Sequence, residues 1–289
     1  MRLSLIFAAA VAGAVTATPS LAQDASGPPA AASMAADLGK DSVTIGGGGV
    51  YLPDYEGSND YRFTAAPAAI GTIKGFNFQL IGNRFNVDLI PDSRNSTIDF
   101  QAGPVAVLNF NRDSLKQIDD PRVRALGELG NAFELGGFVG IGKTGVITSP
   151  YDKLSVSVSY RHDLSGVSDS NVITPSISYL TPLSLKSAVA LFASADHTGA
   201  GYAQTYFGVT PQQSVASGLP IYYPNGGWKS FTVGGIATYS LTGNLLHGFK
   251  IVAGGTYTTM MGDFADSPLI RIAGSGNQWL GAAGLAYTF

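Results

Sequence analysis

Leu154-Ser155-Val156-Ser157-Val158-Ser159-Tyr160 alternates apolar and hydroxyl side chains without interruption. Successive side chains of a β-strand point to opposite faces, so this stretch has one apolar face and one small polar face. The pattern spreads outward in both directions. Phe133, Leu135, Val139 and Ile141 share a face opposite Glu134, and Ile173, Ile177 and Tyr179 oppose Thr174, Ser176 and Ser178. Phe76, Phe78 and Leu80 alternate with Asn77 and Gln79, and Phe85, Val87 and Leu89 with Asn86 and Asp88. Phe231, Val233, Ala237, Tyr239 and Leu241 oppose Thr232, Thr238 and Ser240, and Phe249, Ile251, Ala253 and Tyr257 oppose Lys250, Thr256 and Thr258. No segment carries a 3.6-residue apolar stripe of helical length.

About twelve such segments follow one another, near 43–51, 61–70, 75–81, 84–90, 97–110, 131–141, 152–163, 171–180, 184–196, 229–240, 247–259 and 277–289. Each approaches the roughly ten residues of a tilted membrane strand. Short turns, such as Gly71–Gly75, Pro91–Ser96 and Leu180–Ser184, alternate with longer loops at 52–60, 111–130 and 197–228. The expected fold is therefore all-β: a transmembrane antiparallel up-and-down β-barrel with short periplasmic turns, long outer loops and both termini on the periplasmic side. Segments 75–81 and 84–90 are separated only by Gly82-Asn83; read as one strand, they reduce the count toward ten. Tyr51, Tyr61, Tyr160, Tyr179, Phe231, Tyr239, Phe249, Tyr257 and Trp279 lie near strand ends on the apolar face, as two interfacial girdles require.

The composition agrees. Only 13% of residues are charged, about half the usual share of roughly 25%, while the chain holds 37 Gly, 13 Tyr and 15 Phe. A soluble sandwich or lipocalin-like barrel would place Lys and Glu on its polar face; here that face is mostly Ser, Thr, Asn and Gly. The absence of Cys excludes a disulfide scaffold and Cys-ligated metal sites, and a net charge of −3 argues against nucleic acid as a partner.

The ends of the chain fit export. Arg2, the apolar run Leu3–Val15 and the small residues Ser20 and Ala22 predict a signal peptide over 1–22, cleaved after Ala22. Residues 23–41 read as a flexible periplasmic leader, and 42–289 as the barrel. At the other end Leu285, Tyr287 and the terminal Phe289 share one face, a pattern resembling the C-terminal signal of bacterial outer-membrane proteins that the barrel assembly machinery reads. The expected location is the bacterial outer membrane, in contact with its lipid and lipopolysaccharide.

Two constellations are decoys. Gly137-Phe138-Val139-Gly140-Ile141-Gly142-Lys143-Thr144 matches the phosphate-binding pattern, but that site needs a helix directly after Lys-Thr; here Gly145 and Pro150 precede another strand, so the segment reads as a Gly-rich periplasmic turn. His162-Asp163, Asp196-His197 and His247 supply bases, but no nucleophile elbow accompanies them. No enzymatic activity and no cofactor are expected. The run Gly46–Gly49 within a strand pattern reads as close packing in the wall.

Three loop phrases carry a resemblance. Tyr51-Leu52-Pro53-Asp54-Tyr55-Glu56-Gly57-Ser58-Asn59-Asp60-Tyr61-Arg62, then Gln204-Thr205-Tyr206-Phe207-Gly208-Val209-Thr210 with Ser217–Tyr222, then Asp263-Phe264-Ala265-Asp266-Ser267-Pro268 before Gly274-Ser275, resemble the MipA/OmpV family in order and spacing. The resemblance implies an outer-membrane barrel. It also implies a non-enzymatic scaffold that binds a murein lytic transglycosylase and a bifunctional murein synthase; other members are described as adhesins. A surface adhesin or a small-solute channel are the alternatives. Asp54, Tyr55, Glu56, Asp60, Arg62, Tyr206, Phe207, Asp263 and Asp266 are the outer-loop candidates. Their carboxylates are expected to tie loops across the mouth by ion pairs and turn chemistry, with oxygen ligation of a divalent cation as the other option. Loop 198–228 is apolar enough to fold inward as a lid, or to expose aromatics to a partner. Arg62, Asp88, Asp99, Glu134, Arg161, Lys186 and Lys250 are expected in the lumen, paired across a partly filled interior with little or no conductance.

Overall fold

The computed structural model describes residues 41–91 and 96–289. The expected signal peptide with its Ala22 cleavage site and almost all of the leader lie outside the described residues, as does the centre of the turn at 91–96. Twelve antiparallel strands close into one barrel, each paired with its sequence neighbours and β1 with β12. They are β1 (Ser42–Pro53), β2 (Tyr61–Ile73), β3 (Phe76–Ile81), β4 (Arg84–Asp88), β5 (Ile98–Asn109), β6 (Ala132–Thr144), β7 (Lys153–Asp163), β8 (Asn171–Pro182), β9 (Ser187–Thr198), β10 (Gly227–Ser240), β11 (Gly248–Met260) and β12 (Asn277–Thr288). Gly82-Asn83 is a true turn: Phe78 faces Val87 and Leu80 faces Phe85 across the ladder. The count is therefore twelve and not ten.

Closure pairs every strand with a neighbour on each side, the condition for crossing hydrocarbon with strands. The alternation then sorts side chains. Phe63, Phe100, Val139, Ile141, Val156, Val158, Leu191, Ile251 and Leu285 stand exposed on the outer face, while Ser155, Ser157, Ser159, Thr174, Ser176, Ser178 and Ser194 are buried inside. A continuous exposed apolar belt on a closed wall is what lipid requires and water penalises. The aromatics gather in two girdles. Tyr51 packs on Tyr61 and Phe63 at the outer end, with Tyr257 on Trp279; Phe249, Tyr287 and Phe289 stack at the other. The chain is thus a transmembrane barrel of the bacterial outer membrane.

Glycine does specific work in the wall. A Cβ at Gly48 would lie 2.3 Å from the Ala283 carbonyl oxygen, so the Gly46–Gly49 run marks close packing of β1 on β12. The Gly137–Thr144 segment is not the turn its glycines suggest but the body of β6. A Cβ on neighbouring Gly136 would meet the Tyr160 carbonyl oxygen at 1.8 Å. Its glycines serve tight strand approach.

The connections beside the termini are short: 74–75, 145–152, 183–186 and 241–247. Three at the outer end, 110–131, 199–226 and 261–276, are long and hold short helices: α1 (Pro121–Arg124), α2 (Ala200–Phe207), α3 (Pro211–Ser217), α4 (Gly262–Asp266) and α5 (Pro268–Arg271). These helices span at most about two turns, too few residues for a periodic stripe to register in the sequence.

Candidate functional site

The outer loops form one packed cap over the barrel mouth. Tyr55, Ile118, Val123, Leu126, Val209, Leu219, Leu269 and Ala273 make one apolar cluster, and Val172, Tyr202, Tyr206, Phe207, Met260, Phe264 and Ile270 another. Tyr55 donates its hydroxyl to the carbonyl oxygens of Leu269 (3.2 Å) and Ala273 (2.8 Å), joining the first loop to the last. Ser267 Oγ donates to Phe207 O (2.6 Å), and Tyr222 to Asp263 O (2.8 Å). α3 is held by a capping box of Thr210 and Gln213 and ends on left-handed Gly218. Gln213 also reaches Leu126 O (2.9 Å).

The loop candidates now have places. Tyr206 and Phe207 are buried within the cap, so the option of a partner surface built on them is corrected: their apolar area is spent on closing the mouth. Asp54 accepts from the Asp119 backbone N–H (2.8 Å), and burial pushes its carboxyl pKa up. Asp263 accepts from the backbone and side chain of Asn225 (2.9 and 3.0 Å), which holds its pKa down. Asp266 faces Arg271 at 3.5 Å in solvent. Arg62 bonds Gln117, and the Asp60 backbone N–H donates to Ser58 Oγ (3.0 Å). Among the described residues no three His, Asp or Glu side chains converge as a metal site. The carboxylates tie loops by backbone and side-chain hydrogen bonds. Sequence reasoning missed Arg112. It is buried in a left-handed backbone conformation (φ 61°) and donates to the carbonyl oxygens of Gly127 (3.2 Å) and Tyr206 (3.4 Å). Burial lowers its pKa to about 10.

Beneath the cap runs a closed polar circuit. Glu56 pairs with Lys229 and accepts from Tyr202 Oη (3.0 Å). Lys229 Nζ lies 3.3 Å from Asp196, which accepts from Thr174 Oγ1 (2.7 Å). Arg161 donates to Thr174 (3.2 Å) and to Glu134 (2.5 Å). Asn109 donates to Glu134 (3.1 Å) and accepts from the Asn111 backbone (2.9 Å), and Asn111 Oδ1 accepts from the Glu56 backbone (3.0 Å). The circuit links the first loop with strands β5 to β10 across the upper lumen. Each charge meets opposite charge and further hydrogen bonds, as groups buried this deeply require. Lower down, Lys153 pairs with Asp99 (2.9 Å). Mixed-sign pairing in the lumen is therefore present. Lys186 departs from it, because it lies exposed in the turn before β9 rather than on the strand.

Below the circuit the lumen is two-sided. On β4 to β8 its wall carries most of the charged, hydroxyl and amide groups; on β1, β2 and β10 to β12 it is mainly Gly, Ala, Val and Ile, with Thr, Gln278 and Lys250 among them. A cavity of about 330 Å³ lies along this second side. Its floor is an apolar cluster of Leu180, Ala188, Ala190, Phe192 and Leu245, beside which Lys250 donates to Thr288 (2.5 Å) and to Leu245 O.

At the periplasmic end, Asp152 organises the turn after β6. Its carboxylate accepts from the backbone N–H groups of Val146 (2.6 Å), Ile147 (2.9 Å) and Thr148 (2.5 Å) and from Tyr179 Oη (2.7 Å). Burial opposes its ionisation, but these donors outweigh burial and hold the carboxyl below its ordinary range. The N–H concavity that could cradle a phosphate after the Gly-Lys-Thr pattern is thus filled by the chain's own carboxylate. The three histidines stay apart in role: His162 is 3.6 Å from Asp169, His197 packs edge-on to Trp228, and His247 packs on Tyr287.

Solved structures with similar folds include OmpT, an outer membrane protein of Vibrio cholerae (8% identity, 86% of this chain and 97% of that one, TM-score 0.38). They also include the outer membrane channel DcaP of Acinetobacter baumannii (9% identity, 86% and 96%, TM-score 0.37). A third is the toluene transporter TodX of Pseudomonas putida (9% identity, 86% and 88%, TM-score 0.35). No curated protein matches the sequence. The family described as MltA-interacting protein MipA matches residues 45–289, from the first strand through the terminal Phe289. The chain therefore belongs to the MipA family.

Proposed function

We propose that the chain is a non-enzymatic scaffold of the outer membrane that docks a murein lytic transglycosylase on its periplasmic turns. The observation that carries this reading is a pair of neighbouring turns with exposed apolar tips: Ile147 and Tyr151 after β6, Leu183 and Leu185 after β8. The turns adjoin, because Thr148 Oγ1 lies 2.8 Å from Thr181 Oγ1 and 2.7 Å from Tyr179 Oη. The Asp152 clamp fixes the first turn in advance, which lowers the ordering cost of binding. The family description, an interaction with MltA, fits a partner on this side. In the outer loops Tyr55, Tyr202, Tyr206, Phe207 and Phe264 are spent on the cap, although Val215, Ile221 and Tyr223 stay exposed; the burial of those five rings favours the periplasmic face over an adhesin surface. The separate packing of the three histidines favours a role without catalysis. Two turns make a small surface, so the association is transient.

The test uses the full chain in lipid nanodiscs, with purified murein lytic transglycosylase as the probe. Ile147→Asp combined with Leu185→Asp weakens binding at least tenfold while heat-modifiable migration of the barrel is kept. No binding to the unaltered chain overturns the scaffold reading, and unchanged binding to the double variant overturns the placement of the surface.

A further inference from the structure

The lumen cavity extends between the polar circuit and the apolar floor. Glu56 and the polar circuit bound it at the outer end, and Phe192 and Leu245 at the periplasmic end. Its volume of about 330 Å³ is in the range of small-molecule sites. Lumen-facing Val50, Ala68, Ile70, Val252, Leu280 and Ala282 line one side of it. Such a surface offers water few hydrogen bonds and offers hydrocarbon a full set of contacts.

One place in the wall lacks ladder bonds. β2 pairs with β1 from Tyr61 onward, but with β3 only from Ala68, which faces Ile81. β3 and β4 stop at the Gly82-Asn83 turn, whose Gly82 N–H donates to Pro67 O (2.9 Å), while Asn83 O accepts from the Leu108 N–H (3.0 Å). Between the upper part of β2 and the end of β5, no described strand completes the sheet. From the cap, Gln117 contacts the Arg62 side chain of this upper part of β2. Pro67, Gly82 and Asn83 line the cavity at this point. A path between the cavity and the hydrocarbon outside, beside exposed Phe63, crosses no strand pairing here.

We propose that the cavity is a binding site for a hydrocarbon chain, reached sideways from the membrane above the β3–β4 hairpin. At the outer part of the same cavity, Thr232, Thr258 and Gln278 give the head of an amphiphile hydrogen-bonding partners. The chemistry recognised is an alkyl chain of modest length, carried either by a membrane phospholipid or by a free fatty acid.

Photo-crosslinking tests this, because alternation separates lumen from annulus residue by residue. The full-length barrel in nanodiscs is exposed to a diazirine-labelled phospholipid in one arm and to a diazirine-labelled free fatty acid in the other, and attachment sites are mapped by mass spectrometry. The expected result is labelling at lumen-facing Val50, Ile70, Val252 and Leu280 in addition to outward Phe63 and Leu285. Ala282→Phe, which fills the cavity, reduces the lumen labels at least tenfold and leaves the outward labels unchanged. Ala68→Phe serves if that variant loses heat-modifiable migration. Lumen labelling by the phospholipid alone identifies a membrane lipid as the ligand, and by the free acid alone a fatty acid. Labelling confined to outward residues in both arms, or lumen labels that survive both cavity-filling variants, overturns the proposal.

Discussion

Lys229 is the residue on which the upper lumen turns. Its ammonium lies between Glu56 of the first loop and Asp196 of β9, and all three side chains are shielded from solvent. Removing one member of such a buried set strands the others, at a cost of about 3–5 kcal/mol. Lys229→Met is therefore expected to lower the urea midpoint of the refolded barrel by an amount in that range. Adding Glu56→Gln to Lys229→Met recovers part of the loss, and simple additivity of the two substitutions would show that the pair is not coupled. Little of this could be read from the sequence. Glu56, Glu134 and Arg161 stood out as charges in a charge-poor chain, but Lys229 sits beside a register shift in β10, between Trp228 and Ser230. That bulge takes Lys229 out of simple alternation, so parity counting could not assign it to the lumen. Arg112 escaped notice for a similar reason: its position follows from a left-handed loop backbone, which no periodicity announces.

At the scale of elements, strands were far more legible than loops. A two-residue period over ten residues is a strong signal, and the serine ladder of β7 alone fixed which face met lipid. The short β3 and β4 were recognisable because each side of Gly82-Asn83 kept its own alternation, and the glycine adopts the positive φ (55°) that the turn needs. The cap helices have no such signal, since each closes too few turns. Their boundaries are set by caps instead. α1 begins on Asp120, whose carboxylate accepts from the backbone N–H groups of Arg122 (2.7 Å) and Val123 (3.4 Å) and pairs with the Arg122 side chain (2.6 Å). The bond from the Arg122 guanidinium is the main reason its pKa lies below the ordinary 3.8. A depressed carboxylate stabilises the folded form above its unfolded pKa, and the contribution fades as pH falls through the folded one. Asp120→Ala is expected to cost the local cap about 0.5–2 kcal/mol at neutral pH. Amide exchange at Val123 and Leu126 reads that cost. The difference between the two proteins should shrink as pH drops below 3.8, and a difference that grows with acidification would contradict the assignment.

The whole molecule is a barrel closed on itself and then closed again at its outer end. Low charge with ordinary apolar content follows from averaging two faces: one meets hydrocarbon, and the other is a lumen of small polar groups with a few paired charges. The same arithmetic could not reveal that the lumen is itself divided into a charged half and a Gly/Ala half, because that depends on which strands become neighbours after closure. Nor could it show that the loop aromatics turn inward, since Tyr206 and Phe207 acquire their neighbours only from Val172, Met260 and Phe264, distant in sequence. Cap, polar circuit and apolar floor together are expected to block passage along the barrel axis. Planar-bilayer recording of the refolded chain tests it directly, with a comparator in which residues 200–222 are replaced by a short Gly-Ser linker. The account predicts a silent baseline for the intact chain and transient openings for the comparator; long-lived, uniform conductance steps from the intact chain would contradict it.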